Sequence, residues 1–438
     1  MDRPQLERAI RLPHATAMVV GTIIGASIFV QPSEVTRQVA TPSGIFAVWA
    51  VSGLLTLFGA LVCAEWAAAY PESGGVYAFL REAFSPGWAF LWGWAMFWTV
   101  HSGIIAAIAM ICARYLGFFV ALGDIGLKVV AILVIAALSA VNYRGVRHGS
   151  DLQAAFTAGK LAAIAVVIVL GLALGSQAHE LALAANRSSF LDTANSPGDF
   201  ALALVAGLFA FGGWHMVTYN ADETFDPSAT IPRALVTGTL LVSGCYILLN
   251  AVYFYVLPID TVASSTRVAA DAADAVLGAG GGAMMSGLVV FSTLGALSGI
   301  VLAGPRVYYA MARDGLLFSS LGEVHNRYRT PHRAIVLQAV WASVLVSTGS
   351  YRELFVRVIY TEWIFFGVLA VALILRRRHG PIGPYRAPAH PVVPGVFAVS
   401  AFAIVTNQVV SAPADAALGL GMVALGWPAY AFLVRRSD

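Results

Sequence analysis

Two short stretches of the 438-residue chain carry the residue types best placed for chemistry, and in both the chemistry belongs to the main chain. The first, "MVVGTIIGASIFVQP" (18–32), sets Gly21, Gly25, Ala26 and Ser27 inside an apolar run. The second, "LFAFGGWHMVTYNADETF" (208–225), sets Gly212-Gly213 behind Phe209, Ala210 and Phe211. Interior glycine costs a helix about 1 kcal/mol against alanine, so both stretches read as deliberately broken helices. Each break leaves carbonyls at the end of one half-helix and N–H groups at the start of the next, with opposite partial charges. Lipid satisfies neither. The carbonyls of Ile23, Phe209 and Ala210 are therefore expected to accept from an ammonium group. The N–H groups of Gly25, Ala26 and Ser27 are expected to hold a carboxylate, as helix N-termini do. A zwitterion with both charges on one carbon, an α-amino acid, fits that pair of poles, in a pocket bounded by residues 22–27 and 209–214.

Few side chains join them. Lys160, one of two lysines, lies inside an apolar run, about 10 Å from its polar end at 1.5 Å per residue. A charge at that depth pairs with carbonyls or polar groups of the bundle and is functional by default, so Lys160 is the candidate coupling residue, with Ser298 beside it. Ser298 and Trp214 are each placed equally well for lining the pocket or for helix packing. His101 and His215 have two open roles: a hydrogen bond to a neighbouring helix, or a place in the pocket reading the substrate side chain or a proton. Glu65 reads as a structural partner, and Asp222, Glu223 and Asp226 as the border of an inner vestibule. No acidic residue falls in either break or midway along the third span. An unpaired buried charge is costly, so a neutral substrate is expected.

Several chemistries lack their parts. No His, Cys and carboxylate cluster has metal-ligand spacing, and no phosphate loop occurs, so no metal and no cofactor are expected. No nucleophile with its base lies near the midplane, as an enzyme needs, and no ring of charges marks a channel. Cys63, Cys112 and Cys245 lie in apolar runs and read as packing residues.

The elements that position these residues follow from composition. Hydrophobic residues make up 59% and charged residues 11%, against about 25% charged in a soluble domain. Apolar runs predict an all-α membrane protein with about twelve spans. They cover 14–40, 43–70, 85–118, 126–142, 152–174, 199–221, 233–257, 280–312, 334–348, 354–375, 392–410 and 415–434. The first run has full span length, unlike a cleaved signal. Arginines cluster in alternate loops: Arg3, Arg8 and Arg11; Arg144 and Arg147; Arg313, Arg327, Arg329 and Arg333; Arg376, Arg377, Arg378 and Arg386; Arg435 and Arg436. That asymmetry places both termini in the cytoplasm, and the cell inner membrane is the expected location. It also accounts for the net charge of +3 without a nucleic-acid partner. Arg352 and Arg357 fall on the other side as an exception. Breaks five spans apart are the product of an inverted five-helix repeat. The expected organisation is a cytoplasmic segment 1–13, a ten-helix core 14–375, and two peripheral helices with the C-terminus in 376–438.

At these residues the chain resembles the L-amino acid transporter branch of the amino acid–polyamine–organocation superfamily. "GTIIGASIFVQP" (21–32) is similar to that branch's first-helix motif, "CAEWAAAYPESGGVYAFL" (63–80) to its second helix and loop, and "FAFGGW" (209–214) to its sixth-helix break. "RVYYAMARDGLLF" (306–318) and "PYRAPAHPVVP" (384–394) are similar to further family segments. The resemblance implies the leucine-transporter fold: ten helices in two inverted repeats plus two. It implies Phe209 as a gate above the substrate, binding by main-chain atoms of the first and sixth helices, and Lys160 where sodium-coupled relatives bind a cation. Family members often have Gly-Ser-Gly where this chain has Gly25-Ala26-Ser27, so substrate preference transfers less well than fold. Animal relatives carry a cysteine between the third and fourth helices that bridges a glycoprotein partner. "GFFVALGDIG" (117–126) has none, so no disulfide-linked heavy subunit is expected. The implied activity is sodium-independent exchange or facilitated uptake of amino acids, with proton symport or carriage of another amine such as a polyamine as alternatives.

Overall fold

The computed structural model describes residues 6–25, 27–189, 197–265, 267–278, 280–349 and 360–434. Among them there is no sheet, and nine helices are long and apolar enough to cross a membrane. The remaining three of the twelve spans are the interrupted first (Leu12–Ile23, then Gln31–Gln38), the ninth (His332–Thr348) and the tenth (Thr361–Arg376). The tenth is predicted to begin at 354, which lies outside the described residues. Proline opens many of these helices within their first turn, among them Pro42, Pro86, Pro227 and Pro413. The first-turn N–H has no acceptor in any helix, so proline there costs nothing.

The fifth span starts at Val146 rather than 152, which sets Lys160 deeper along it than the apolar run alone indicates. Helices at Val76–Ala83, Ile259–Ser264 and Val268–Leu277 are too short for a span pattern and are not legible as apolar runs. The third span (Pro86–Leu116) is not uniform: Met96–Val100 widens into a π turn just before His101. Such turns occur often at functional sites.

Among the described residues, one ion pair has both side chains wholly inside the protein. Arg306 donates through Nε and Nη2 to the two oxygens of Glu223, at 2.8 and 2.7 Å, and both side chains are fully buried. Asn220 Nδ2 adds a bond of 2.7 Å to Glu223, and Arg306 Nη1 donates to the Leu302 carbonyl at 2.6 Å. Glu223 therefore does not border a vestibule, as its position after the sixth span suggests. It fastens that span to the eighth (Gly281–Arg313). The Glu223 carbonyl also accepts from the N–H groups of Ala9 and Ile10 at 2.9 Å, so the segment before the first helix is pinned there too. Asp222 faces a separate polar cavity with Ser73, Arg81 and Arg313. Glu65 holds Arg377 at 3.1 Å and the Ala387 N–H at 2.7 Å, joining the second span to the segment after the tenth.

Breaking a buried pair leaves an uncompensated charge, which costs about 3–5 kcal/mol, whereas an exposed pair contributes about 0–1 kcal/mol. Thermal unfolding of detergent-solubilised protein should therefore show a large loss for Arg306→Ala and little change for Arg333→Ala, whose partner Glu323 is exposed. Equal losses would contradict the assignment.

Candidate functional site

The first break is a turn with its own logic. Ile24 has φ −73° and ψ 89°, and the Gly25 N–H donates to the Ile23 carbonyl at 2.8 Å. That is an inverse γ-turn, and it ends the helix. The chain resumes as a short 3₁₀ turn at Ser27–Phe29, whose first N–H groups have no intrahelical acceptor. Ala26 lies outside the described residues. Of the three N–H groups assigned to a carboxylate, the one on Gly25 is thus turned back on the helix, while Ser27 opens the second half.

The carbonyls freed by this turn are met by side chains from three other spans. Lys160 is fully buried, and its Nζ donates to the carbonyls of Gly21, Ile24 and Ser292 at 3.1, 2.5 and 3.1 Å. An ammonium group has three donors, so all are used. Ser292 Oγ donates to the Gly25 carbonyl at 3.3 Å. Tyr246, from the seventh span (Pro227–Val256), donates its hydroxyl between the carbonyls of Ile23 and Ala210, at 3.1 and 3.0 Å. Those are two of the three carbonyls expected to take an ammonium group. The third, on Phe209, accepts from the Gly212 N–H at 3.1 Å.

The sixth span (Gly198–Glu223) breaks at Gly212-Gly213. Gly213 sits at φ 95°, a left-handed conformation open to glycine. A Cβ on Gly213 would also meet the Thr22 carbonyl oxygen at 3.2 Å. Thr22 Oγ1 lies 3.1 Å from the Gly213 carbonyl as its donor, so the two breaks touch. Phe211 packs inward on Trp49 and Tyr246, at 6.5 and 4.9 Å between ring centres. Phe209 points the other way and is 38% exposed, on the wall of a cavity of about 90 Å³. Gly212, Trp214 and His215 share that wall.

The remaining candidates other than Ser298 gather around Tyr219. Trp214 packs on Phe366 and His215, and His215 and His101 both lie edge-on to Tyr219, at 5.5 and 5.6 Å. Among the described residues neither histidine has a hydrogen-bond partner on either ring nitrogen. Ser298 is buried with its hydroxyl unpartnered and makes no bond to Lys160; Ser292, one turn and a half earlier, takes that place. Sequence reading also missed Tyr246 and Glu362. Glu362 lines the cavity beside Phe209, and its Oε1 is buried without a partner. The signals existed: Tyr246 with Asn250 one turn on, and a lone acid in "YTEWIFFGVLAVAL", are polar groups inside apolar runs.

Comparison with known proteins adds a second line of observation. The amino acid permease family model matches residues 10–427. The serine/threonine exchanger SteT of Bacillus subtilis (strain 168) is 30% identical, over 98% of this chain and 98% of its own. The b(0,+)-type amino acid transporter 1 of Homo sapiens is 31% identical, over 93% of this chain and 84% of its own. The human cystine/glutamate transporter is 27% identical over 98% and 86%.

A Cβ on Gly212 would meet only the Phe209 carbonyl oxygen, at 3.3 Å, so a larger side chain there enters the cavity rather than the helix packing. Gly212→Leu should weaken amino acid binding by about tenfold or more, ~1.4 kcal/mol, with an unchanged melting temperature. Unchanged affinity, measured by calorimetry on purified protein, would place the site elsewhere.

Proposed function

The chain belongs to the amino acid permease family, with its all-α leucine-transporter fold of about twelve spans, and from that premise we propose that it carries small, neutral L-amino acids by sodium-independent alternating access. It is a multi-pass membrane transporter of amino acids and not an enzyme. In this reading it exchanges or admits its substrate across the cell inner membrane, with both termini in the cytoplasm, as the arginine-rich loops support. Residues 14–375 form the moving core and 376–438 the periphery. The loop 117–126 without cysteine supports action without a disulfide-linked subunit.

The observation that carries the reading is the Lys160 ammonium on the carbonyls of Gly21, Ile24 and Ser292. It supplies a fixed positive charge to the oxygens of the break, which a sodium ion would otherwise have to supply. The same bonds tie the fifth span to the first and eighth, so any movement of the first half-helix that accompanies substrate passes through Lys160. Substrate recognition falls to the poles of the two breaks, with Tyr246 yielding or sharing the Ile23 and Ala210 carbonyls when an α-ammonium group arrives. Phe209 is the gate, Trp214 and His215 line the side-chain end, and His101 stands behind them across the Tyr219 ring.

Neutrality rests on the lack of a carboxylate in either break. Glu362 refines it. An unpartnered carboxylate oxygen in the cavity beside the break favours a side chain that brings a hydrogen-bond donor, and the similarity to a serine/threonine exchanger supports a hydroxyl. Glu362 also favours a second reading, in which the substrate side chain is cationic and pairs with it.

Proteoliposomes loaded with L-serine separate these outcomes. Exchange against labelled L-serine should be unchanged when choline replaces sodium. L-threonine should compete about tenfold better than L-arginine, ~1.4 kcal/mol; arginine competing better selects the second reading. Uptake into amino-acid-free vesicles driven by a pH gradient would instead mark a proton symporter. Lys160→Ala should cut exchange about tenfold or more, ~1.4 kcal/mol, at equal protein in the membrane. Strict sodium dependence, or an unimpaired alanine variant, would show that the lysine is structural only.

A further inference from the structure

On the outer face of the bundle the fourth span (Asp124–Tyr143) and the ninth enclose a groove of about 390 Å³. Alanines 136, 140 and 339 open it, because their side chains fill less of the space between two helix axes than larger residues do, and Val336 and Val340 complete an apolar wall. One end differs. Tyr143, Arg144 and Tyr328 close the groove there, and Tyr143 packs against Tyr328 and His325 at 5.8 and 5.6 Å. Thr330 Oγ1 donates to the Tyr143 carbonyl at 2.8 Å, which fixes the loop before the ninth span on the end of the fourth. The Arg327 guanidinium lies 5.6 Å from the centre of the Tyr328 ring.

The charge at this end is unbalanced. Arg144 and Arg327 are both exposed, and among the described residues neither has a carboxylate within ion-pair distance. The nearby acids are already engaged, Asp151 by His14 and Arg147, and Glu323 by Arg333. The groove therefore has an apolar length lying among the membrane spans, tyrosines at the level where amphipathic rings favour the headgroups, and two free guanidinium groups beyond them. Guanidinium groups bind phosphate through paired N–H donors, and basic pockets between spans suit anionic headgroups.

We propose that this groove is a binding site for an anionic phospholipid of the surrounding bilayer. One acyl chain lies between the fourth and ninth spans, and the headgroup phosphate meets Arg144 and Arg327. A zwitterionic lipid brings its own ammonium group to the same place, where it faces two like charges, so the site discriminates by net headgroup charge. Because the lipid bridges two spans, its binding raises the stability of the pair.

The full-length protein in mild detergent, titrated with phosphatidylglycerol or phosphatidylcholine of the same chains, tests this by native mass spectrometry and thermal unfolding. The wild type should retain phosphatidylglycerol about tenfold more tightly than phosphatidylcholine, ~1.4 kcal/mol, and should melt at a higher temperature with it. Glycerol phosphate at the same concentration should not reproduce the shift, because it lacks the acyl chain. The double variant Arg144→Gln, Arg327→Gln should lose the preference while melting like the wild type without lipid. Ala140→Leu, which fills the groove without touching the charge, should weaken both lipids. Equal binding of the two lipids overturns the proposal. So does a preference that survives the double variant, a full effect of glycerol phosphate alone, or unchanged binding in Ala140→Leu.

Discussion

A helix that breaks inside hydrocarbon releases backbone groups that lipid cannot satisfy, and the arrangement around the first span follows from that constraint. Its carbonyls are met by Lys160 from the fifth span, Ser292 from the eighth and Tyr246 from the seventh. Each partner makes the break possible and, by doing so, fastens another helix to it. Thr22 then joins the first break to the second through the Gly213 carbonyl. Five spans meet at these two turns of unwound chain.

Recognition by main chain has a consequence for selectivity. In the proposed reading the backbone poles at the two breaks meet only what every α-amino acid shares, so discrimination falls to the cavity beside the second break. There the walls are mostly aromatic, from Phe209, Trp214, Tyr360, Trp363 and Phe366, and the polar side chains are His215, Glu362 and Gln408, with the Tyr360 hydroxyl bonded to the Ala416 carbonyl. A buried carboxylate oxygen without a partner is costly, which makes Glu362 the group with the most to gain from a substrate that carries a donor. The end of the bundle where the first helix starts is held by a different device. Glu223 with Arg306 joins the sixth span to the eighth, and the Glu223 carbonyl holds Ala9 and Ile10, so the start of the first helix cannot move without disturbing that cluster.

Local features were legible in the sequence because they are set by residues close together in the chain. The two breaks follow from glycine in apolar runs, the spans from hydropathy, and the need of Lys160 for carbonyl partners from its depth. What was not legible depends on which helices become neighbours. Tyr246 reaches Ile23 across 223 positions, and Arg306 reaches Glu223 across 83. Glu362 comes to the cavity from the tenth span, outside the two breaks where an acid was sought. The γ-turn at Ile24 also escaped, since it rests on one ψ angle that no residue type at that position demands. The short helices after the second and seventh spans offer too few turns for an apolar stripe to show.

In the proposed function unwound backbone, rather than any charged side chain, reads both ends of the substrate. Competition by blocked analogues tests it most directly. Serine amide and N-acetylserine should each inhibit serine exchange about tenfold more weakly than serine, ~1.4 kcal/mol, because the amide brings no carboxylate to the N–H groups of the first break and the acetyl compound brings no ammonium group to compete with Tyr246 for the Ile23 and Ala210 carbonyls. Serine amide competing as well as serine would contradict capture of the carboxylate by the first break, and equal competition by N-acetylserine would contradict capture of the ammonium group by the carbonyls.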